Sequence, residues 1–240
     1  MNDLVKGVVI NSIEYKENDA IVTVLTEEFG KVALYVKGYK KITSKNVYAT
    51  QLFDHSSFLF DFNPHKSIQI LKSANLLSQF SNIKTDYEKI AAASVICEIA
   101  GGIEENIYNL LYQTLNRLND NEQIYLVLNV YLVAILNILG ISPFVDGCVN
   151  CGRTDNIESI SINEGGFLCS HCNREFNDEI FDLEFLKKFR ITNKASFDVF
   201  DKLITLNLND FKLTDLLMLI LITYSGIYLK SYQSLKNLNH

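Results

Sequence analysis

The chain has 240 residues, of which 48% are apolar, only two are proline and none is tryptophan, so a real core can form and there is no low-complexity stretch. Its net charge of −6 excludes a uniformly basic nucleic-acid binder, but the charge is unevenly placed: residues 1–80 carry nine lysines against eight acids, a balance of +1, and the remainder carries −7. The opening Met1-Asn2-Asp3-Leu4 has no apolar leader, and five cysteines in a chain of this size fit a reducing compartment, so the expected location is the cytoplasm.

Residues 4 to about 78 read as strands. Val5 to Ile13, Ala20 to Thr26 and Lys31 to Lys37 are rich in β-branched and aromatic residues, with turn signals at Asn18-Asp19 and Phe29-Gly30. Phe58 to Phe62 and Ser67 to Leu71 add two more around Asn63-Pro64-His65-Lys66. Five strands in so short a span suggest a small closed barrel, for which the OB-fold is the commonest solution; a small sandwich has similar spacing. From Asn82 the period becomes helical. Thr85-Asp86-Tyr87-Glu88 reads as a capping box with Thr85 as N-cap, opening a helix that runs to Gly101-Gly102. Further helices are expected near 105–118, 122–140, 182–191, 196–206 and 213–232. Ile124 to Ile141 carries no charge over eighteen residues, yet Asn129 and Asn137 lie inside it and Gly140 and Pro143 end it. Together with Leu213 to Leu229 it is expected to form a pair of core helices packed on each other rather than membrane spans. The expected fold is thus α+β: a five-stranded OB-fold for nucleic acid over 1–80, then a helical domain over 81–240 interrupted at about 145–176.

That interruption is the most informative motif. Cys148-Val-Asn-Cys151 and Cys169-Ser-His-Cys172 stand seventeen residues apart. Two residues between cysteines let both thiolates of a pair reach one ion, and two such pairs close a tetrahedral shell with no open position, the pattern of a structural Zn2+. Gly152 provides the positive φ that the turn after the first pair needs. Ile160 and Ile162 alternate with serines before Gly165-Gly166, giving a short hairpin between the pairs, hence a zinc ribbon. A disulfide is the alternative use of the same thiols.

The strongest candidate for contact with phosphate is Lys37-Gly38-Tyr39-Lys40-Lys41-Ile42-Thr43-Ser44-Lys45, expected as a long loop after the third strand. Lysines neutralise backbone phosphates and aromatic faces stack bases of any identity, so Lys37, Tyr39, Lys40, Lys41 and Lys45 with the nearby Tyr35 and Lys31 form the candidate DNA-binding set. An ordinary solvated loop is the competing reading. Catalytic constellations are missing: no phosphate-binding glycine loop, no nucleophile beside a base, and only adjacent carboxylates at Glu27-Glu28 and Glu104-Glu105. His55 and His65 are expected at the surface or at strand ends, His171 exposed, and Cys97 as a small apolar residue within a helix.

The order of these parts resembles the bacterial RecO family of recombination mediators. Gly7-Val8-Val9-Ile10 followed by Tyr15-Lys16-Glu17-Asn18-Asp19-Ala20-Ile21-Val22 resembles its opening strand pair, and Phe29-Gly30-Lys31 with Val36-Lys37-Gly38 its next strand and basic loop. Leu139-Gly140-Ile141-Ser142-Pro143-Phe144 running into Cys148, and Gly165-Gly166-Phe167-Leu168-Cys169, are the most specific stretches. The resemblance implies a non-enzymatic DNA repair and recombination protein that binds single- and double-stranded DNA, anneals complementary strands without ATP, and works with RecR on SSB-coated DNA to load RecA, associated with the nucleoid. A second class, a zinc-ribbon adaptor that binds only proteins, would leave the lysine loop inert. A nuclease would need clustered carboxylates or an open metal site.

Overall fold

The computed structural model describes residues 4–41 and 44–239; Met1 to Asp3 of the opening, and Ile42 and Thr43 of the lysine loop, lie outside the described residues. The chain forms two compact units, residues 1–122 with 229–240, and residues 123–228.

The first unit is built on a closed barrel of β1 (Val5–Tyr15), β2 (Asp19–Thr26), β3 (Gly30–Val36), β4 (His55–Phe60) and β5 (Ile68–Ser78), in the order β1-β2-β3-β5-β4. All neighbours are antiparallel except β3 and β5, whose parallel register (Ala33 opposite Ile68, Tyr35 opposite Ile70) removes the last free edges. This is the OB-like closure expected from five strands. Alternate side chains point inward: Val9, Val22, Val24, Val32, Leu34, Val36, Phe58 and Leu71 fill the interior. Gly7 lies where two strands approach, since a Cβ there would sit 2.4 Å from Val24 Cγ1 and 3.0 Å from the Leu25 oxygen. β5 runs seven residues beyond its expected end; Ser73-Ala74-Asn75 breaks the β-rich pattern, but pairing with β4 carries the strand on.

Three helices follow: α1 (Ser81–Thr85), α2 (Tyr87–Gly102) and α3 (Tyr108–Asp120). The cap of α2 is Asp86, not Thr85. Its carboxylate accepts from the Glu88 and Lys89 amides at 2.8 and 3.1 Å, whereas the Thr85 hydroxyl is turned back to the Ser81 carbonyl. α1 is tied to the barrel by Lys84, which pairs with the buried Asp54. His55 opens β4, but it is not at the surface. It is buried with Nε2 2.9 Å from the Tyr108 hydroxyl and its ring 4.4 Å from that of Tyr112. Strand position alone does not reveal that α3 covers this end of β4.

The second unit begins with α4 (Ile124–Ile138), buried on nearly every face. Asn129 is tolerated there because its Oδ1 accepts from the Thr214 hydroxyl at 2.7 Å and its Nδ2 donates to the Leu208 carbonyl at 3.4 Å. Gly140, at φ +69, ends the helix as Ile141 N–H returns to the Leu136 carbonyl at 2.9 Å. A hairpin of β6 (Ile157–Ser161) and β7 (Gly166–Cys169) follows, then a single turn, α5 (Asn173–Phe176), and α6 (Leu183–Thr192), capped by Asp182 on the Phe185 amide at 2.7 Å. The helix expected over 196–206 is broken into 3-10 turns flanking α7 (Phe200–Leu203). The one expected over 213–232 is two: α8 (Phe211–Ser225), packed on α4, and α9 (Lys230–Asn237), separated by Gly226 at φ +68. Among the described residues no helix is long and apolar enough to cross a membrane.

With α9 the chain returns to the first unit and packs on α2, where Glu98 accepts from the Lys230 and Ser231 amides at 3.0 and 2.8 Å and so caps the returning helix.

Two outcomes follow from packing. Gly166 bridges to Phe144, and a Cβ there would lie 2.4 Å from the Phe144 oxygen and 2.9 Å from its nitrogen. Gly166→Ala is therefore expected to destabilise the second unit by about 1–3 kcal/mol, read as a lower melting temperature. Burial holds the His55 imidazole below its ordinary value of 6.5, aided by Lys6 and opposed by Glu27. The unfolded chain then takes up the proton more readily, so folding stability is complete above about 6.5 and falls as pH drops towards the folded value. Denaturant titrations at pH 7.5 and 5.5 should show this loss, and His55→Gln should reduce it.

Candidate nucleic-acid interface and metal centre

The register of the first three strands brings two basic segments together. Tyr15 pairs with Asp19 and Ala20 with Val36, so the β1–β2 turn (residues 16–18) and the root of the lysine loop share one end of the barrel. Asp19 joins them. Its carboxylate accepts the Gly38 amide at 2.8 Å and the Tyr35 hydroxyl, and the Lys40 amide donates to the Asn18 carbonyl at 3.1 Å. These hydrogen bonds, with Lys16 and Lys37 nearby, hold the Asp19 carboxyl below the usual carboxylate value, while the bond to Asp19 and desolvation push the Tyr35 phenol up. The loop then winds through tight turns, with Lys41 N–H to the Gly38 carbonyl at 2.9 Å and Ser44 N–H to the Lys41 carbonyl at 2.8 Å, and a 3-10 turn at Val47–Ala49.

The structure separates the candidate residues. Lys37, Lys41 and Lys45 are exposed and, among the described residues, form no ion pair. Tyr39 is half-buried against the barrel core. Lys40 is drawn to Glu14 at 2.7 Å. Lys31 is directed elsewhere: its ammonium donates to the Gly101 and Ile103 carbonyls at 2.9 and 2.7 Å, covering the negative end of α2. Sequence proximity placed Lys31 beside the loop, but it lies at the opposite end of β3. On the outside of the barrel, Ile13, Ile21, Tyr35 and Ile70 form one cross-strand row, with Ile13 and Ile70 exposed. Sequence reading passed over Lys16, in a turn that looked like punctuation, and Asp19, the first residue of β2 after it.

In the second unit the sulfurs of Cys148, Cys151, Cys169 and Cys172 lie within 4.8 Å of one another, with Cys151 and Cys169 at 3.7 Å. A tetrahedral shell with Zn–S near 2.3 Å has edges of about 3.8 Å, so the donor set fits such an ion. Backbone amides around the two pairs face the Cys148 and Cys169 sulfurs. Burial opposes ionisation of Cys148, but the amides of Cys169, Cys151 and Asn150 more than offset it and bring the thiol down to about 6. The amides of Cys172 and His171 likewise lower Cys169. Cys172 is pushed up to about 12 by burial and by the neighbouring sulfurs, a crowding of negative charge that a central cation relieves. Gly152, at φ +74, closes the first knuckle as its amide donates to the Cys148 carbonyl at 2.8 Å. Cys97 stands apart, buried in α2, where burial pushes its thiol up. His171 is exposed beside the cluster.

Residues 1–80 match the family model for the N-terminal part of recombination protein O, and residues 84–203 match its C-terminal part. The chain belongs to the recombination protein O family. A curated relative, DNA repair protein RecO of Halalkalibacterium halodurans, is 31% identical over 173 residues, covering 70% of this chain and 67% of that protein. The DNA repair proteins RecO of Bacillus cytotoxicus and of Listeria monocytogenes are 31% and 30% identical, covering 69% and 70% of this chain and 68% and 67% of theirs. The first RecO match takes in the whole barrel and its lysine loop; the second takes in α2 through α7 with all four cysteines.

Asp19 provides a test of the loop's anchorage. Because its folded value is depressed, the anchor is complete above the ordinary carboxylate value of about 3.8 and is released as pH falls through the lower folded value. Asp19→Ala is expected to raise hydrogen exchange at the Gly38 and Lys40 amides at neutral pH, with exchange at β2 and β3 little changed.

Proposed function

We propose that this chain is a non-catalytic DNA-binding mediator of repair and recombination that acts in the cytoplasm at the nucleoid. It binds single- and double-stranded DNA through the barrel, anneals complementary strands without nucleotide hydrolysis, and with RecR helps load RecA on SSB-coated DNA. The observation that carries the reading is the closed barrel bearing an anchored loop whose Lys37, Lys41 and Lys45 ammonium groups are exposed and unpaired among the described residues, in a chain of otherwise acidic balance. Two strands repel each other as polyanions. Lysines that displace condensed counterions lower that repulsion, and exposed ring and apolar faces on the barrel hold bases unstacked while they find partners.

The four cysteines are proposed to hold one structural Zn2+. When bound, the ion supplies charge neutralisation and a crosslink between the knuckles; the chain's own hairpin and backbone amides pre-set the sulfurs for it. Such a closed sulfur shell leaves no position for substrate, in keeping with a supporting role.

The loop reading is tested by fluorescence-detected annealing of two complementary oligonucleotides and by binding to a labelled single strand. Replacing Lys37, Lys41 and Lys45 together by alanine should weaken binding at least about tenfold and flatten the dependence of log K on log salt by about two, since each single-strand phosphate contact contributes about 0.7. Undiminished binding and annealing at low salt would instead favour the protein-only adaptor. For the metal, Cys148→Ser should lose zinc from a parent stoichiometry of about one per chain and lower the melting temperature of the second unit. Native melting together with native metal content would refute the structural role.

A further inference from the structure

The lysine loop is only one wall of a hollow of about 410 Å3. The other is the β1–β2 turn, and the lining includes Lys16, Lys37 and Lys41 with Glu17, Asp19 and Ser44. We propose that Lys16, Lys37 and Lys41 together form a phosphate subsite for single-stranded DNA between these two turns, with Lys40 excluded from it. The proposal rests on the DNA-binding reading of the loop and adds a residue and a geometry to it.

Three observations converge. Lys41 folds back: its side chain packs over Gly38, where a Cβ would meet Lys41 Cδ at 3.7 Å, so its stem is led towards the hollow. Lys16 lies against two aromatic rings, with its ammonium 5.3 Å from the Tyr15 ring centre and 5.8 Å from that of Tyr35. Its backbone is left-handed, at φ +56, a conformation in which glycine or asparagine is less strained. A lysine at that position costs the turn some strain and adds a charge to the lining that Lys37 and Lys41 share. Three ammonium-bearing side chains lining one opening give it an excess of positive charge that a phosphodiester would neutralise.

The two carboxylates of the lining offset part of this charge, three lysines against two acids leaving a balance of +1. Asp19 accepts hydrogen bonds at both oxygens, from the Gly38 amide and the Tyr35 hydroxyl. Glu17, at the tip of the turn, is exposed and opposes anion binding from the rim. Lys40 points the other way, to Glu14. Beside the subsite the Tyr15 ring is exposed and meets Tyr35 in a T-shaped contact at 6.0 Å, which places aromatic surface next to the held phosphate.

The test is fluorescence anisotropy of a labelled oligothymidylate with the full chain at several salt concentrations. Lys16→Asn suits the left-handed turn, so melting should be unchanged or raised. Its affinity should nevertheless fall about three- to tenfold at low salt, with the salt slope shallower by about 0.7. Glu17→Gln should bind more tightly and Lys40→Ala within about twofold of the parent. Parental affinity for Lys16→Asn, alongside weakened binding by the Lys37, Lys41 and Lys45 triple variant, overturns the subsite and leaves the loop reading standing. Equal losses for Lys16→Asn and Lys40→Ala also overturn it, because charge alone and not the hollow would then be sensed. Parental binding by the triple variant overturns the loop reading and the subsite with it.

Discussion

Strand register decides where the charges of this barrel go. With Tyr15 opposite Asp19 and Ala20 opposite Val36, a turn that carries Lys16 and a loop that carries Lys37 and Lys41 leave the sheet side by side. A slip of one residue would turn Val22, Val24, Val32 and Leu34 out of the core, so the buried pattern holds the register firmly. The parallel pairing of β3 with β5 then closes the sheet and leaves the outer row of Ile13, Ile21, Tyr35 and Ile70 as a continuous cross-strand face. Hydrophobic burial, which has no interest in lysines, thereby sets the spacing of the groups proposed to meet DNA.

Within that frame one carboxylate has a disproportionate share of the work. Asp19 satisfies a loop amide and a tyrosine hydroxyl at once, so the first residues of the lysine loop are docked while their charges remain outside. An anchored root with exposed ammonium groups loses less conformational entropy on meeting a phosphate chain than a free loop would. The distribution of the lysines is also selective. Glu14 takes Lys40 and the carbonyls at the end of α2 take Lys31, so a count of basic residues overstates what is available to a ligand.

The cysteine cluster solves a different problem, that of a small hairpin with little core of its own. β6 and β7 are short, and the buried cluster around the sulfurs consists of Cys148, Cys169, Cys172, Leu168 and a few half-buried neighbours. Amides turned towards Cys148 and Cys169 favour thiolates there, and the resulting negative charge is what a divalent cation needs. Elsewhere the second unit uses neutral polar pairing to set its helices: Asn129 and Thr214 lock α4 to α8 by a buried hydrogen bond that an all-apolar contact would leave free to slide.

Much of this was legible in the residues alone. The spacing of Cys148, Cys151, Cys169 and Cys172 determines a four-sulfur site because two-residue gaps act locally, and β-branched alternation determines five strands for the same reason. Where reading failed, a nonlocal partner or a single capping atom was decisive. Asp86 displaced Thr85 as the cap of α2, β5 outran its own propensity because β4 paired with it, and Gly226 divided a helix that periodicity alone would continue. Sequence also grouped Lys31 with Lys37 by nearness along the chain, although a seven-residue strand carries them to opposite ends. Composition and short-range spacing thus determined the fold class, the four-cysteine cluster and the existence of a basic loop. Only tertiary structure decided that His55 is buried, that Lys31 and Lys40 have partners of their own, and that Lys16 lines one hollow with Lys37 and Lys41. Those outcomes depend on which strands become neighbours, and cross-strand distance is a property of the register that no stretch of sequence contains by itself.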